Sequence, residues 1–204
     1  MNGILLLPGC FFLGSIPFSY LAVRVRTGSD LRDLGSGNPG ATNALRTAGP
    51  SVALLGLMLD IAKGFVPVWF GRTAGLPDEL LAGAALACVL GHVFSPFLAF
   101  RGGKGVATGF GALSAMNPVA AGLSVVIFLL ALLIWRMVSL GSILAVAALP
   151  ILWPLPERLG YPAAAGGMGW LAAAAVCALV LVRHRGNFRR LRTGTEYRLG
   201  GRSG

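Results

Sequence analysis

The chain has 204 residues, of which 55% are apolar and only 12% charged, with a mean hydropathy of +0.76. Soluble domains carry about 25% charged residues, so soluble, disordered, collagenous and disulfide-scaffold classes are excluded. The 17 Lys and Arg against 7 Asp and Glu give a net charge of +10. This is the balance of a polytopic membrane protein with cationic loops on anionic lipid; a nucleic-acid partner would need a basic soluble face with exposed aromatics.

The first apolar run, residues 2–23, lacks the basic n-region of a signal peptide and is followed by Arg24 and Arg26. It reads as a retained span with its N-terminus outside. Gly35-Ser36-Gly37-Asn38-Pro39-Gly40-Ala41-Thr42-Asn43 follows, with Arg46 three residues on. Glycines here permit a nest of backbone N–H groups suited to an anion, with Thr42 or Asn43 capping a short helix that carries Arg46 on its first turns. Runs at 52–70 and 80–100 are the next spans. Asp60 and Lys63 share one helix face, as a neutralising pair that joins helices or as a substrate contact. His92, near the middle of its span, reads as a packed, hydrogen-bonded histidine.

Arg101-Gly102-Gly103-Lys104-Gly105 opens the next run. Backbone N–H groups at a helix N-terminus beside a lysine form a phosphate cradle. The loop has neither the spacing of a P-loop nor a preceding strand. Residues 106–135 are too long for one span, and Asn117-Pro118 divides them into a short helix, about 105–116, and a full one. The last runs are 138–155 and 163–182. Ser139 and Ser142 lie at the start of the former, where membrane serines commonly bond their own backbone. Beyond the last run, His184 and Asn187 fall three apart among Arg185, Arg189 and Arg190, followed by Glu196; residues 183–204 form a short basic interfacial tail. Cys10, Cys88 and Cys177 sit inside apolar runs as core residues, and no Cys/His metal cluster or nucleophile elbow is present.

The basic residues decide the number of crossings. Seven spans with the N-terminus outside place 14 of the 17 Lys and Arg in the cytoplasm and only Arg72 and Arg158 outside, whereas six spans divide them almost evenly. The expected fold is therefore an all-α polytopic membrane protein, one domain over residues 1–204, with seven transmembrane helices, one of them short, and a cytoplasmic C-terminus. The polar groups gather on one face. That favours an enzyme over an anion transporter, whose site belongs near the bilayer midplane.

As an ordered set, several motifs resemble the bacterial membrane glycerol-3-phosphate acyltransferases that use acyl phosphate, the PlsY family. They are Gly14-Ser15-Ile16-Pro17, Gly35-Ser36-Gly37-Asn38 with Gly40-Ala41-Thr42-Asn43, Asp60 with Lys63-Gly64, Gly91-His92, Gly102-Gly103-Lys104-Gly105, Ser139-Leu140-Gly141-Ser142, and His184-Arg185 with Asn187. Gly186 departs from a frequent glutamate of the family, and Pro39 is a lesser departure. The resemblance implies acyl transfer from acyl phosphate to the sn-1 hydroxyl of glycerol 3-phosphate at the cytoplasmic side of the bacterial inner membrane. It implies no cofactor or metal, and a soluble partner enzyme that makes acyl phosphate from acyl carrier protein. It assigns Ser36, Arg46, Lys104, His184 and Asn187 to catalysis. Gly37, Asn38, Gly40, Thr42, Asn43, Gly102, Gly103, Gly105, Ser139 and Ser142 would hold substrate, with Asp60, Lys63, His92 and Glu196 in support.

Overall fold

The computed structural model describes residues 3–160 and 166–200, and all regular structure among them is helical. Residue 2, the start of the last apolar run at 163–165 and the tail beyond Gly200 lie outside the described residues. In chain order the helices are α1 (Gly3–Ser15), α2 (Phe18–Thr27), α3 (Ala41–Ala48), α4 (Pro50–Thr73), α5 (Asp78–Val93) and α6 (Val106–Met116). They continue with α7 (Pro118–Trp135), α8 (Val138–Leu152), α9 (Leu155–Arg158), α10 (Gly166–Arg183) and α11 (Arg185–Arg192). Five stretches are long and apolar enough to cross a bilayer: Leu5–Thr27, Pro50–Thr73, Asp78–Leu98, Pro118–Trp135 and Gly166–Arg183. Two shorter apolar helices, α6 and α8, accompany them.

Large and small residues are distributed as they are in a membrane bundle. Ala84, Ala85, Cys88, Ala112, Ala120 and Ala173 fill the interior, while Leu129, Leu130, Leu133 and Ile134 of α7 face outward. Lipid provides no hydrophobic drive between helices, so close backbone packing through small residues must hold them. α4 and α6 run parallel in this way: a Cβ on Gly64 would strike the Thr108 carbonyl, and one on Gly111 would strike that of Ile61.

The first apolar run is not one continuous helix. Pro17 has no N–H and cannot continue α1, so the chain breaks at Ile16-Pro17 and restarts as α2. Inside a bilayer the freed carbonyls need partners. Ser95 Oγ donates to the Ser15 carbonyl at 2.6 Å, and Lys63 Nζ donates to that of Ile16 at 2.6 Å. Lys63 also pairs with Asp60 Oδ1 at 2.7 Å, and Ser19 Oγ donates to Asp60 Oδ2 at 2.6 Å. The Asp60–Lys63 pair is thus a neutralising pair that pins the broken span to α4.

The third span ends early. α5 stops at Val93, a 3₁₀ turn covers Pro96–Leu98, and His92 lies in the last turn of α5 rather than mid-span, buried as expected but with its Nδ1 lacking a hydrogen-bond partner among the described residues. The division at Asn117-Pro118 is as the sequence predicts: Asn117 Oδ1 accepts from Ala120 N, its Nδ2 donates to the Trp153 carbonyl, and Pro118 opens α7.

Candidate active site

The loop between α2 and α3 folds around one side chain. Asn43 Nδ2 donates to the Leu31 and Leu34 carbonyls at 3.1 and 2.8 Å, and its Oδ1 accepts from Ser36 N at 2.9 Å. Gly35 and Gly37 take positive φ angles of 54° and 70°, and a Cβ on Gly35 would meet Asn43 Oδ1. Gly37 N donates to the Leu34 carbonyl and Gly40 N to Asn38 Oδ1. The expected nest of free N–H groups is therefore corrected: these donors are used to fold the loop. Asn43 is a scaffold rather than an anion ligand. The cap of α3 is Gly40, not Thr42 or Asn43, both of which lie inside the first turn.

The second glycine loop is corrected in the same way. Gly102 N donates to the Val93 carbonyl and Gly103 N to that of His92. A Cβ on Gly102 would strike the His92 carbonyl, and one on Gly103 would strike His92 Nε2. Arg183 Nη2 holds the Gly102 carbonyl at 3.1 Å. These two glycines exist for close packing against the end of α5, and their N–H groups are spent there.

What remains free is the start of each following helix. The first N–H groups of a helix have no intrahelical acceptor and carry partial positive charge. Ala41 and Thr42 open α3, while Val106 and Ala107 open α6 behind Gly105, its N-cap at φ 86°. All five residues line one cavity of about 1420 Å³. Two helix N-termini therefore border the same cavity, and such ends suit an anion.

Ser36, Asn38, Arg46, Lys104, Ser139, Ser142, His184, Asn187 and Glu196 line the same cavity. Residues far apart in the sequence thus line one cavity. Lys104 Nζ donates to Asn187 Oδ1 at 2.6 Å, Asn187 Nδ2 to Glu196 Oε1 at 2.9 Å, and Arg190 Nε to Glu196 Oε2 at 2.9 Å. This chain of charge-assisted bonds aims the lysine. Burial draws the Lys104 ammonium down to about 8, against the opposing pull of Glu196. His184 is buried, its Nδ1 2.8 Å from the Val180 carbonyl. A carbonyl only accepts, so Nδ1 carries the proton and Nε2 keeps its lone pair. Burial, reinforced by the Lys104 charge, brings His184 down to about 4 and keeps it neutral at pH 7. Ser142 Oγ donates to its own helix at Val138 O, while Ser139 Oγ is buried without a partner among the described residues.

Away from this polar end the cavity is apolar, lined by Leu57, Phe110, Val125, Phe128, Val146 and Leu149. Leu54 of α4 and Leu129 of α7 line it while exposing 58% and 49% of their surface, so the cavity reaches the outer face of the bundle between those helices. Beside it lies a smaller basin of about 280 Å³, ringed by Arg101, Lys104, Arg183 and Arg190 with Ser36, Asn38 and Asn187. Ser36, Asn38, Lys104, Asn187 and Arg190 border both spaces.

The tail is more than a lipid-binding strip. α11 and the segment after it fold back over the cavity, and Leu199 N donates to the Arg136 carbonyl at 2.7 Å. Asn187, Glu196 and Tyr197 become a wall of the site. Sequence reasoning missed Tyr197, Arg183 and Arg190, which lie in the basic tail; the one signal was an isolated tyrosine directly after Glu196.

A family model described as glycerol-3-phosphate acyltransferase matches residues 4–194. A glycerol-3-phosphate acyltransferase of Geotalea daltonii is 43% identical over 193 residues, covering 95% of each chain. Its counterpart in Syntrophomonas wolfei is 42% identical over 199 residues, covering 98% of each. The crystal structure of PlsY (YgiH), an integral membrane glycerol 3-phosphate acyltransferase, in its glycerol 3-phosphate form matches with a TM-score of 0.89 and 37% identity, over 98% of this chain and 96% of that one. Its lysophosphatidic acid form matches with a TM-score of 0.85 and 35% identity.

Proposed function

The chain belongs to the glycerol-3-phosphate acyltransferase family, and from that premise we propose that it transfers a fatty acyl group from acyl phosphate to the sn-1 hydroxyl of glycerol 3-phosphate. The products are 1-acyl-glycerol 3-phosphate and inorganic phosphate. The observation that carries this reading is the pairing of a small cationic basin with a long apolar cavity across the shared border at Ser36, Asn38, Lys104 and Asn187. The basin suits a compact hydrophilic phosphate. The cavity suits an acyl chain whose phosphate stays at the polar end, against the starts of α3 and α6.

The chemistry asks little of the protein beyond charge and position. Acyl phosphate is a mixed anhydride with a good leaving group. The glycerol oxygen attacks the acyl carbon, the carbon–oxygen bond to phosphate breaks, and the hydroxyl proton passes to phosphate. A phosphomonoester has its second pKa at about 6, so its dianion is a better proton acceptor than a histidine held at about 4. Lys104 and Arg46 bind and stabilise the developing negative charge, with Asn38, Ser36 and Ser139 as further polar groups. Thr42 and Ser142 border the donor phosphate, and Asn187 aims Lys104. His184, neutral and with Nε2 as an acceptor, orients a substrate hydroxyl. No metal or cofactor enters this scheme.

The purified protein, given palmitoyl phosphate and glycerol 3-phosphate, releases phosphate and forms lysophosphatidate, and it forms none with palmitoyl-CoA as donor. Uptake of phosphate into liposomes without release would favour a transporter instead.

Seven crossings, five long spans plus α6 and α8, put the polar end of the cavity on the cytoplasmic side of the inner membrane. There it can receive acyl phosphate made by a soluble enzyme from acyl carrier protein. The concentration of basic residues in the loops of that side supports this orientation. With Cys10, Cys88 and Cys177 all buried, an Arg198→Cys variant reports it: an impermeant thiol reagent labels it in inverted vesicles and not in intact cells. Labelling from outside would reverse the orientation.

A further inference from the structure

We propose that Tyr197 is a positioning residue that holds the Arg46 guanidinium in its binding pose through a cation–π contact. The inference rests on the acyltransferase reading above. Arg46 Cζ lies 3.9 Å from the centroid of the Tyr197 ring, and both residues line the large cavity. Arg46 Nε is buried and has no hydrogen-bond partner among the described residues. The aromatic face is therefore the contact that fixes the plane of the guanidinium, leaving its outer donors for an anion.

The ring is itself held from both sides. Gly194, at φ 71°, turns the chain out of α11. Glu196, immediately before Tyr197, is buried and accepts from Asn187 and Arg190. Two residues beyond, Leu199 N is bonded to the Arg136 carbonyl. The short strap between these anchors delivers the ring to Arg46. The same strap carries the glutamate that aims Lys104 through Asn187, so Arg46 and Lys104 are both set from one piece of tail. A guanidinium placed in advance gives up less conformational freedom when phosphate binds.

The test compares Tyr197→Leu, which keeps bulk and removes the π face, with Tyr197→Phe, which keeps the face and removes the hydroxyl. With palmitoyl phosphate and glycerol 3-phosphate, the leucine variant raises KM for one substrate by roughly three- to thirtyfold. Its kcat falls by a smaller factor, since the guanidinium charge itself stays in the site, and the phenylalanine variant behaves as the parent. Modification of Arg46 by phenylglyoxal, followed by peptide mass spectrometry, gives a readout that needs no turnover: it is faster in the leucine variant and unchanged in the phenylalanine one. Parental KM values for both substrates in the leucine variant, or equal defects in the two variants, would overturn the assignment. If the parent itself fails to turn over, the acyltransferase reading falls, and the phenylglyoxal comparison alone decides the contact.

Discussion

Replacing Lys104 with alanine lowers phosphate release on the order of 10²–10³-fold, the usual loss when a preorganised charged donor leaves a water-poor site. The effect is large because Lys104 borders both the basin and the long cavity, where the proposed transfer develops charge on the acyl oxygen and the departing phosphate. Helix content and thermal midpoint stay at the parental values, since the lysine bonds a side chain of the tail rather than a helix interface. The pH profile adds a second reading. Burial draws this ammonium down to about 8, so the cation is present below that pH and is lost as the pH rises through it. Activity therefore falls on the alkaline side near pH 8. Lys104→Arg keeps its charge well above that range and moves the alkaline fall to higher pH, whatever rate it retains. Near-parental turnover in the alanine variant would remove the loop from the mechanism.

Lys63→Met destabilises the fold by about 3–5 kcal/mol, because it leaves a buried carboxylate without its counter-charge. Two interactions vanish at once: the 2.7 Å pair with Asp60 and the 2.6 Å bond to the Ile16 carbonyl at the break between α1 and α2. Ser19 Oγ remains as a donor to Asp60, and one neutral donor does not replace an ammonium. Adding Asp60→Asn to Lys63→Met recovers much of the loss, since the orphaned charge is then gone. Thermal unfolding of the detergent-solubilised protein measures both steps. A parental midpoint for the single variant would show that the pair does not hold the broken span.

The long apolar stretches were legible because crossing a bilayer imposes length and apolarity on a local stretch. The division at Asn117-Pro118 was legible for a similar reason: proline and a capping asparagine act on their immediate neighbours. The break at Pro17 is equally local, yet its acceptability depends on Lys63 and Ser95, which are 47 and 80 residues from the carbonyls they bond. No periodicity reports such a partnership.

The glycine loops show how far composition reaches. Gly37 and Gly102 line the small basin and Gly40 the large cavity, and Ser36, Lys104 and Asn187 border both. What those backbone N–H groups bond was hidden, because the acceptors in the second loop are the His92 and Val93 carbonyls of another element, α5. The donors left for an anion belong to the starts of α3 and α6. Tyr197 was hidden for the same physical reason as the Lys104–Asn187 bond, which joins residues 83 apart: a tail that folds back leaves no local signature.

Direct transfer between two phosphate-bearing substrates held side by side is the central claim, and phosphate release with and without the acceptor tests it most directly. Purified protein incubated with palmitoyl phosphate alone releases no phosphate above the uncatalysed background, and intact-protein mass spectrometry finds no acyl adduct. Adding glycerol 3-phosphate starts release, with one lysophosphatidate formed per phosphate. An acyl group on Ser36, or acceptor-independent phosphate release, would contradict direct transfer.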